Sequence, residues 1–280
     1  MNGAASSAPA DAGPAEARAA DAAPGVELRP LPMYEADEIP VDFVIAGMSE
    51  RVSRDTAWPP HSHPTHELLW NERGVSTVRI DQRTWMISTS FGLWIPAGVP
   101  HSGAAPAGTW YRTSHFGIRQ APPLADRPVA VEIDPLLRLL LARLDDPRLA
   151  ADSRDLTERM VLDLLSPSER QLCVQDPHSE LLRPILLALE EDPADQRGLA
   201  AWAAELRVSS RTITRAFRAE TGLSFGRWRT LRRAQCAARL LAAGEQVQSV
   251  AVEVGYRSVS AFGVAFQQVT GLTPGQFRGD

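Results

Sequence analysis

The feature that most constrains this chain is a duplicated unit in its last third. An apolar stripe with the i, i+3, i+4, i+7 spacing of a core-facing helix occurs twice, 48 residues apart: at Leu199, Trp202, Ala203 and Leu206, then at Val247, Val250, Ala251 and Val254. The segment FRAETGLSFG, which begins at Phe217, returns as FQQVTGLTPG at Phe266. Each unit reads as a short helix, a tight turn that contains serine, and a second helix. This is the helix-turn-helix arrangement, whose second helix can enter the major groove of DNA.

The second helix of the first unit has one apolar face and one polar face. Ser209 is placed to cap its start, and Ile213 and Phe217 belong to the inner stripe. Arginine can bond two acceptors of guanine at once, and threonine can bond a base or a phosphate. We therefore expect the outward residues to contact DNA, namely Arg211, Thr214, Arg215 and Arg218.

The rest of the repeat has a different chemistry. Residues 224–243 predict a long central helix, with Arg232 and Arg233 among the arginines placed to meet backbone phosphates. The second helix of the second unit carries Val259, Ser260 and Val264 at its outward positions, so we expect it to contact mainly phosphates or methyl groups. A solvated helical bundle without a nucleic-acid partner is the alternative interpretation.

The net charge of −5 is unevenly distributed along the 280 residues. Residues 198–280 contain eleven arginines against five acidic residues, a balance of +6, so the remainder carries −11. The chain has no lysine, and the guanidinium of arginine suits phosphates and base edges. This asymmetry favours a basic nucleic-acid-binding module joined to an acidic domain.

The composition along the chain predicts an α+β protein with two domains. Residues 1–25 are rich in alanine, proline and glycine and predict a disordered tail, and 26–133 contain short β-rich runs punctuated by glycine and proline. The latter are typical of an antiparallel β-sandwich or β-barrel. Residues 134–191 read as helices that cover the barrel or form the seam of a homodimer, and 192–280 are the all-α, duplicated domain.

A histidine-rich constellation lies within the β-rich region. His61, His63 and Glu67 have the same parity, so on one extended strand all three would point to one face, and His101 follows a glycine turn. Three imidazoles and one carboxylate suit Fe, Mn, Ni, Co or Zn. The alternative is a polar pocket that binds an organic effector without metal. We expect His66 to be an external strand residue and His178 to lie on the linker surface, while His115 is a candidate to line the barrel.

These motifs resemble those of known families. The segments RAFRAETGLSFGRWRTLRRAQCAARLLAAG and VAVEVGYRSVSAFGVAFQQVTGLTPGQFR resemble the DNA-binding domain of AraC/XylS-type transcriptional regulators. That resemblance implies base reading by Arg211, Thr214 and Arg215; Val264 stands where the family often has arginine.

The β-rich region resembles the two cupin motifs in its segments HSHPTHELLWNERG and PAGVPH, although Asp55 and Ala105 replace the usual glycine and asparagine. A cupin-like barrel implies a sensor of metal ions or small molecules.

The combined interpretation is a cytoplasmic transcriptional regulator that binds promoter DNA and senses a metal ion or a small-molecule effector. We expect no catalytic residues; the alternative is a metal-dependent cupin oxygenase or isomerase fused to a DNA-binding module. The chain lacks the apolar run of a membrane span and a secretory signal. Cys173 and Cys236 are too few for a disulfide framework, which favours a reducing compartment.

Overall fold

The N-terminal domain consists of two β-sheets that face each other. The computed structural model describes residues 25–169 and 173–278, so the predicted tail lies outside the described residues apart from Gly25. The strands are β1 (Glu27–Leu28), β2 (Ile45–Arg51), β3 (Thr56–His61), β4 (His66–Arg73), β5 (Ser76–Ile80), β6 (Arg83–Ile87), β7 (Phe91–Ile95), β8 (His101–Ala105), β9 (Trp110–Phe116), β10 (Val129–Glu132) and β11 (Cys173–Gln175).

The strands divide into two separately hydrogen-bonded ladders. One sheet has the order β1-β3-β8-β5-β6-β11 and the other has the order β10-β7-β4-β9-β2. The pairing is antiparallel except for β1, which lies parallel to β3. From β2 to β9, nearly every connection crosses from one sheet to the other. The predicted β domain is therefore a jelly-roll-like sandwich rather than a closed barrel, a distinction that strand patterns alone do not make.

The alternation of side chains along β4 separates the two faces of its sheet. Leu68 and Trp70 are fully buried on the outer face and cluster with Trp94 and Phe116. Glu67 and Leu69 have the opposite parity and point into the space between the sheets, because successive side chains of a strand alternate. This alternation is what places a carboxylate inside the domain.

Two helices cover the outer face of this sheet. They are α1 (Pro135–Leu144) and α2 (Ala151–Leu164). The Asp134 side chain accepts hydrogen bonds from two backbone amides in the first turn of α1, and this cap fixes where the helix begins. Leu137 and Leu141 of α1 and Val161 of α2 are buried in the same cluster as Trp70. Burying side chains of this size contributes about 1.5–3 kcal/mol each to stability.

The short strand β11 joins the two domains. It pairs with β6 at the edge of the six-stranded sheet, with Val174 opposite Thr84. Val174 is also buried in the same cluster as Phe217 and Trp228 of the C-terminal domain. The prediction of helices throughout residues 134–191 missed this strand. A three-residue strand is identified by its partner rather than by its own periodicity.

The C-terminal domain is all-α and contains the two predicted helix-turn-helix units. Its helices are α3 (Arg183–Glu191), α4 (Leu199–Glu205), α5 (Ser210–Thr221), α6 (Phe225–Ala242), α7 (Val247–Glu253), α8 (Val259–Thr270) and α9 (Pro274–Arg278). Helices α4 and α5 form the first unit, α7 and α8 form the second, and α6 lies between them. No helix in the described ranges is both long and apolar enough to span a bilayer.

The two units share their boundary signals. Ser209 and Ser258 cap α5 and α8 with their side-chain oxygens, and Gly222 and Gly271 end these helices with φ of 72° and 78°. Gly255 has a φ of 79° in the turn of the second unit, and a Cβ there would lie 2.8 Å from the Cα of Ala194. This close approach, as well as the left-handed backbone, requires glycine at that position.

Candidate nucleic-acid interface and metal centre

Helix α5 exposes a row of arginines beside a buried apolar stripe. Ile213 and Phe217 are fully buried, whereas Arg211, Arg215 and Arg218 are exposed. Thr214 is half-buried, and its hydroxyl donates a hydrogen bond to the carbonyl of Ser210 at 2.8 Å, which leaves its lone pairs free to accept. All four predicted residues thus lie outside the buried stripe of α5, and their contacts with DNA stay predictions.

The two arginines predicted on α6 are engaged within the protein. Arg233 is buried, and its guanidinium donates hydrogen bonds to the carbonyls of Pro193, Asp195 and Gly255. Arg232 forms ion pairs with Asp176 at 3.6 Å and with Glu190 at 3.0 Å. The predicted phosphate contact of Arg233 is therefore corrected, because a buried guanidinium that serves three carbonyls is not presented to DNA.

Helix α8 presents an outward face of a different kind. Val259 is 41% exposed and Val264 is 57% exposed, and Ser260 is exposed between them. The inner face is formed by Phe262 and Phe266, which are buried. The three predicted residues of this helix therefore lie on the surface, without a charged side chain anywhere from 259 to 270.

Three histidines converge between the two sheets. The ligating nitrogens of His61, His63 and His101 lie within 4.8 Å of one another. One carboxylate oxygen of Glu67 lies 3.3 Å from Nε2 of His101 and 3.5 Å from Nε2 of His63. This oxygen, Oε2, is buried and makes no well-aligned hydrogen bond among the described residues. All four predicted ligands are brought together in one cluster.

The backbone orients two of the imidazoles. Nδ1 of His61 lies 2.8 Å from the carbonyl of Pro59, and Nδ1 of His101 lies 3.0 Å from the carbonyl of Val99. A carbonyl only accepts, so the Nδ1 atom carries the proton and the lone pair of a neutral ring is on Nε2. Metal-binding histidines commonly hold their second nitrogen in this way.

The protonation states of the cluster suit a cation. Burial lowers the pKa of His63 to about 4, against the opposing effect of Glu67, and burial also lowers the pKa of His61. Burial raises the pKa of the Glu67 carboxyl, but the neighbouring imidazoles, His101 first, outweigh it and hold the pKa at about 2. The ionised Glu67 raises the pKa of His101 against the effect of burial. The neutral imidazoles of His61 and His63 and the ionised carboxylate of Glu67 form a donor set that fits a divalent ion, and His101 would join this set by releasing a proton on metal binding.

The route by which the ligands meet differs from the predicted one. His61 ends β3, His63 lies in the following turn, Glu67 is on β4 and His101 begins β8. Shared parity on a single strand was therefore the wrong reason for their convergence. His66 does face away from Glu67, but it is buried and stacks on Trp94 rather than being external.

A small cavity of about 80 Å³ adjoins the histidines. Tyr111, Thr113 and His115 line it from alternate positions of β9, and Trp58 lines it from β3. The hydroxyl of Thr113 is buried without a hydrogen-bond partner among the described residues, whereas His115 is hydrogen-bonded to Thr65 at 3.1 Å. Of these residues, sequence reasoning considered His115 alone; the period-two alternation of β9 was the signal that would have added Tyr111 and Thr113.

The comparison with protein families found one match for each of the two domains. Residues 43–183 match the AraC-like ligand-binding domain, and residues 202–280 match a helix-turn-helix domain. The first match covers the sandwich except β1, together with its two helices, and the second covers most of the duplicated module. The chain belongs to the AraC family of transcriptional regulators.

Several known regulators are similar to this chain, each over a different part of its length. The regulator NimR of Escherichia coli is 29% identical over 252 residues, which are 87% of this chain and 90% of that protein. The regulator RipA of Corynebacterium diphtheriae is 38% identical over 101 residues, 36% of this chain and 30% of that protein. The solved structure of ToxT from Vibrio cholerae matches 84% of this chain and 98% of its own, with 12% identity and a TM-score of 0.36.

Membership of the AraC family assigns roles to the two domains. The sandwich is a ligand-binding domain and the duplicated module binds DNA. The chain is a transcriptional regulator rather than an enzyme, in agreement with its homologues.

The two cysteines, Cys173 and Cys236, are both free.

Proposed function

We propose that this AraC-type regulator binds promoter DNA through the exposed arginines of α5 and that a divalent transition metal in its ligand-binding domain forms part of the effector site. The observation that carries the proposal is the convergence of three histidine nitrogens within 4.8 Å, next to a buried carboxylate oxygen that lacks an aligned hydrogen-bond partner among the described residues. An unpaired buried carboxylate oxygen is costly unless a cation or donor satisfies it.

His61, His63, Glu67 and His101 would hold the ion. Their nitrogen and oxygen donors suit Fe, Mn, Ni, Co or Zn, and the softer sulfur ligands that select copper(I) are not among them. Such an ion would act as a Lewis acid that attracts an oxygen or nitrogen donor of the effector. The protein would contribute the orientation of the imidazoles, set by the carbonyls of Pro59 and Val99.

The adjoining cavity supports a small organic effector in the same site. Trp58 and Tyr111 provide aromatic surface with their ring centroids 5.1 Å apart, and the buried hydroxyl of Thr113 offers a donor that nothing in the described structure satisfies. A pocket with mostly apolar walls and a few polar groups is the usual form of a small-molecule site. Effector binding would act by favouring one of two states with different affinity for DNA.

We further propose a homodimer that works in the cytoplasm, where the promoter is. Exposed apolar side chains on the sensor helices support the dimer: Leu136 and Leu139 on α1, and Leu156 and Met160 on α2. Adjacent exposed apolar residues on neighbouring helices are typical of an association surface. A dimer would bring two duplicated modules to one operator.

Metal analysis of the purified full chain tests the proposed site. We expect close to one first-row transition-metal ion per chain, and loss of that ion in a His61→Ala/His63→Ala double variant. His178→Ala is the matched control, since His178 is on the surface with 55% of its side chain exposed. Equal metal content in the double variant and the control would exclude the site. DNA selected from a random pool then tests regulation: its affinity should differ between metal-loaded and chelator-treated protein.

A further inference from the structure

The two recognition helices α5 and α8 have equivalent boundaries and buried residues but different outward-facing residues. With an offset of 49 residues, their caps, their C-terminal glycines and their buried residues coincide: Ser209 with Ser258, Gly222 with Gly271, Ile213 with Phe262 and Phe217 with Phe266. The outward positions can therefore be compared one by one. Arg211, Thr214, Arg215 and Arg218 correspond to Ser260, Gly263, Val264 and Gln267.

The outward face of α8 is uncharged and partly apolar. Val264, at the position of Arg215, is 57% exposed, and Val259 in the first turn is 41% exposed. Gly263 has open space where a Cβ would be, so the backbone between these valines is accessible to a partner. Valine is a mediocre helix former, and neither side chain packs in the core, so helix stability does not explain them.

The position of this face indicates that its occupant is DNA. It corresponds to the face of α5 that carries the arginines, and duplicated units of this kind bind successive major grooves. Arg257, just before the Ser258 cap, is exposed, and α8 has no acidic residue that would repel phosphate. In the major groove, the apolar feature that distinguishes one base pair from the others is the C5 methyl group of thymine.

We infer that α8 is a thymine-methyl reader, with Val264 and Val259 as the residues that contact the methyl groups. The operator is then chemically divided: its half under α5 contains guanine, and its half under α8 contains thymine. This inference rests on the proposed DNA binding through α5, and it extends that function to the base preference of the second unit.

Replacement of thymine by deoxyuridine tests the inference, because it removes the C5 methyl group and leaves base pairing intact. Sites are first selected from random DNA with the full chain, and an Arg215→Ala variant identifies the half under α5. Deoxyuridine in the other half should weaken binding about four-fold for each methyl group contacted, the size expected for one buried methyl. Deoxyuridine in the half under α5 should have little effect.

Variants of α8 connect this effect to a residue. In Val264→Ala, the penalty of deoxyuridine should disappear at the thymine that Val264 contacts and remain at the one that Val259 contacts, while Val264→Arg should shift selection at the first position toward guanine. Val252→Ala is the matched control, since Val252 is 71% exposed but lies on α7 rather than on the recognition helix. Because Val264 is exposed, these variants should retain the thermal unfolding midpoint of the parent chain, which is measured alongside.

The outcomes separate the inference from the function on which it rests. Failure to select any DNA sequence would count against the proposed DNA binding itself. A selected site whose second half lacks thymine, or one that tolerates deoxyuridine throughout, would overturn the inference and leave DNA binding intact. If Val264→Ala binds DNA like the parent in every test, the valine face serves a protein partner and the inference is wrong.

Discussion

The carboxylate of Glu220 accepts a hydrogen bond from the backbone amide of Ser179 at 3.0 Å, and a second one from the amide of His178 at 2.8 Å. Glu220 is in the last turn of the first recognition helix α5, and Ser179 lies between β11 and α3. In the same region, the Gln175 side chain donates to the carbonyl of Glu220 and Trp228 donates to the carbonyl of Gln175. Helix α5 of the DNA-binding module is thus attached to a strand of the ligand-binding domain.

Glu220→Ala should therefore loosen the junction between the domains. Loss of a charged acceptor should lower the free energy of unfolding by about 1–3 kcal/mol and increase amide hydrogen exchange at residues 173–179. Chemical denaturation and exchange mass spectrometry measure these two effects. Glu180→Ala is a suitable control, since that carboxylate is 86% exposed. Unchanged exchange at 173–179 would show that the contact does not hold the junction.

The same contact should depend on pH. Burial raises the pKa of Glu220, but the hydrogen bonds from Ser179 and His178 outweigh this effect and lower it below its ordinary value of 4.5. A group whose pKa is lowered by folding stabilises the folded state above its unfolded pKa, and this contribution is lost as the pH falls through the folded value. The stability difference between parent and Glu220→Ala should thus be constant near neutral pH and shrink below about pH 4.5.

Arg215→Ala should weaken specific DNA binding. The loss should be about 1–3 kcal/mol, with relaxed base preference at one position of the site, because a bidentate contact to guanine is removed. Arg159→Ala removes the same charge from α2, where Arg159 forms an ion pair with Asp155, and should leave specificity unchanged. Titration of both variants against the selected site and a scrambled one provides the measurement. Equal losses on both DNAs would assign Arg215 to phosphate contact.

Arg233→Ala should affect folding rather than the salt dependence of DNA binding. Its removal leaves the carbonyls of Pro193 and Asp195 without this donor, whereas Gly255 keeps its hydrogen bond from the Gln196 side chain. We expect a cost of about 2–4 kcal/mol in the free energy of unfolding. Urea denaturation measures the loss, and the slope of log Kd against log salt should match that of the parent chain. If the variant has the stability of the parent chain but a reduced salt slope, Arg233 contacts a phosphate as first predicted.

Leu139→Glu should dissociate the proposed dimer. Leu139 is 67% exposed on α1, and a charge at a buried apolar interface should raise the dimer dissociation constant by at least about tenfold. Leu187→Glu on α3, where the side chain is 53% exposed, is the control. Sedimentation velocity distinguishes the species. If both variants sediment like the parent, α1 is not the dimer surface.

Sequence reasoning succeeded where the determinants are local. Three correct predictions depend on signals within one turn or one helix. They are the cap at Ser209, the long helix from Phe225 to Ala242 and the two repeated units. The four candidate metal ligands were identified as a set because the cupin-like spacing names them. Their arrangement on three strands was not predicted, since it depends on how β3, β4 and β8 come together.

The errors concern contacts between distant parts of the chain. Parity gave the correct face for His66, but Trp94 stacks on its ring and the backbone amide of Ala97 donates to it, and nothing near His66 in sequence reveals these contacts. Arg233 has the pattern of a solvated helix residue, yet carbonyls from 193–195 and from Gly255 surround it. Strand β11 has too few residues to show a period, and its conformation is set by β6.

The pairing of β11 with β6 has a consequence for protein production. Without residues 173–175, β6 would present an open row of amides and carbonyls at the edge of the six-stranded sheet. Such edges recruit strands from other molecules and promote aggregation. A fragment of the ligand-binding domain cut before Cys173 would therefore be prone to aggregate. In the intact chain β11 occupies this edge, and the C-terminal domain holds β11 there by burying Val174.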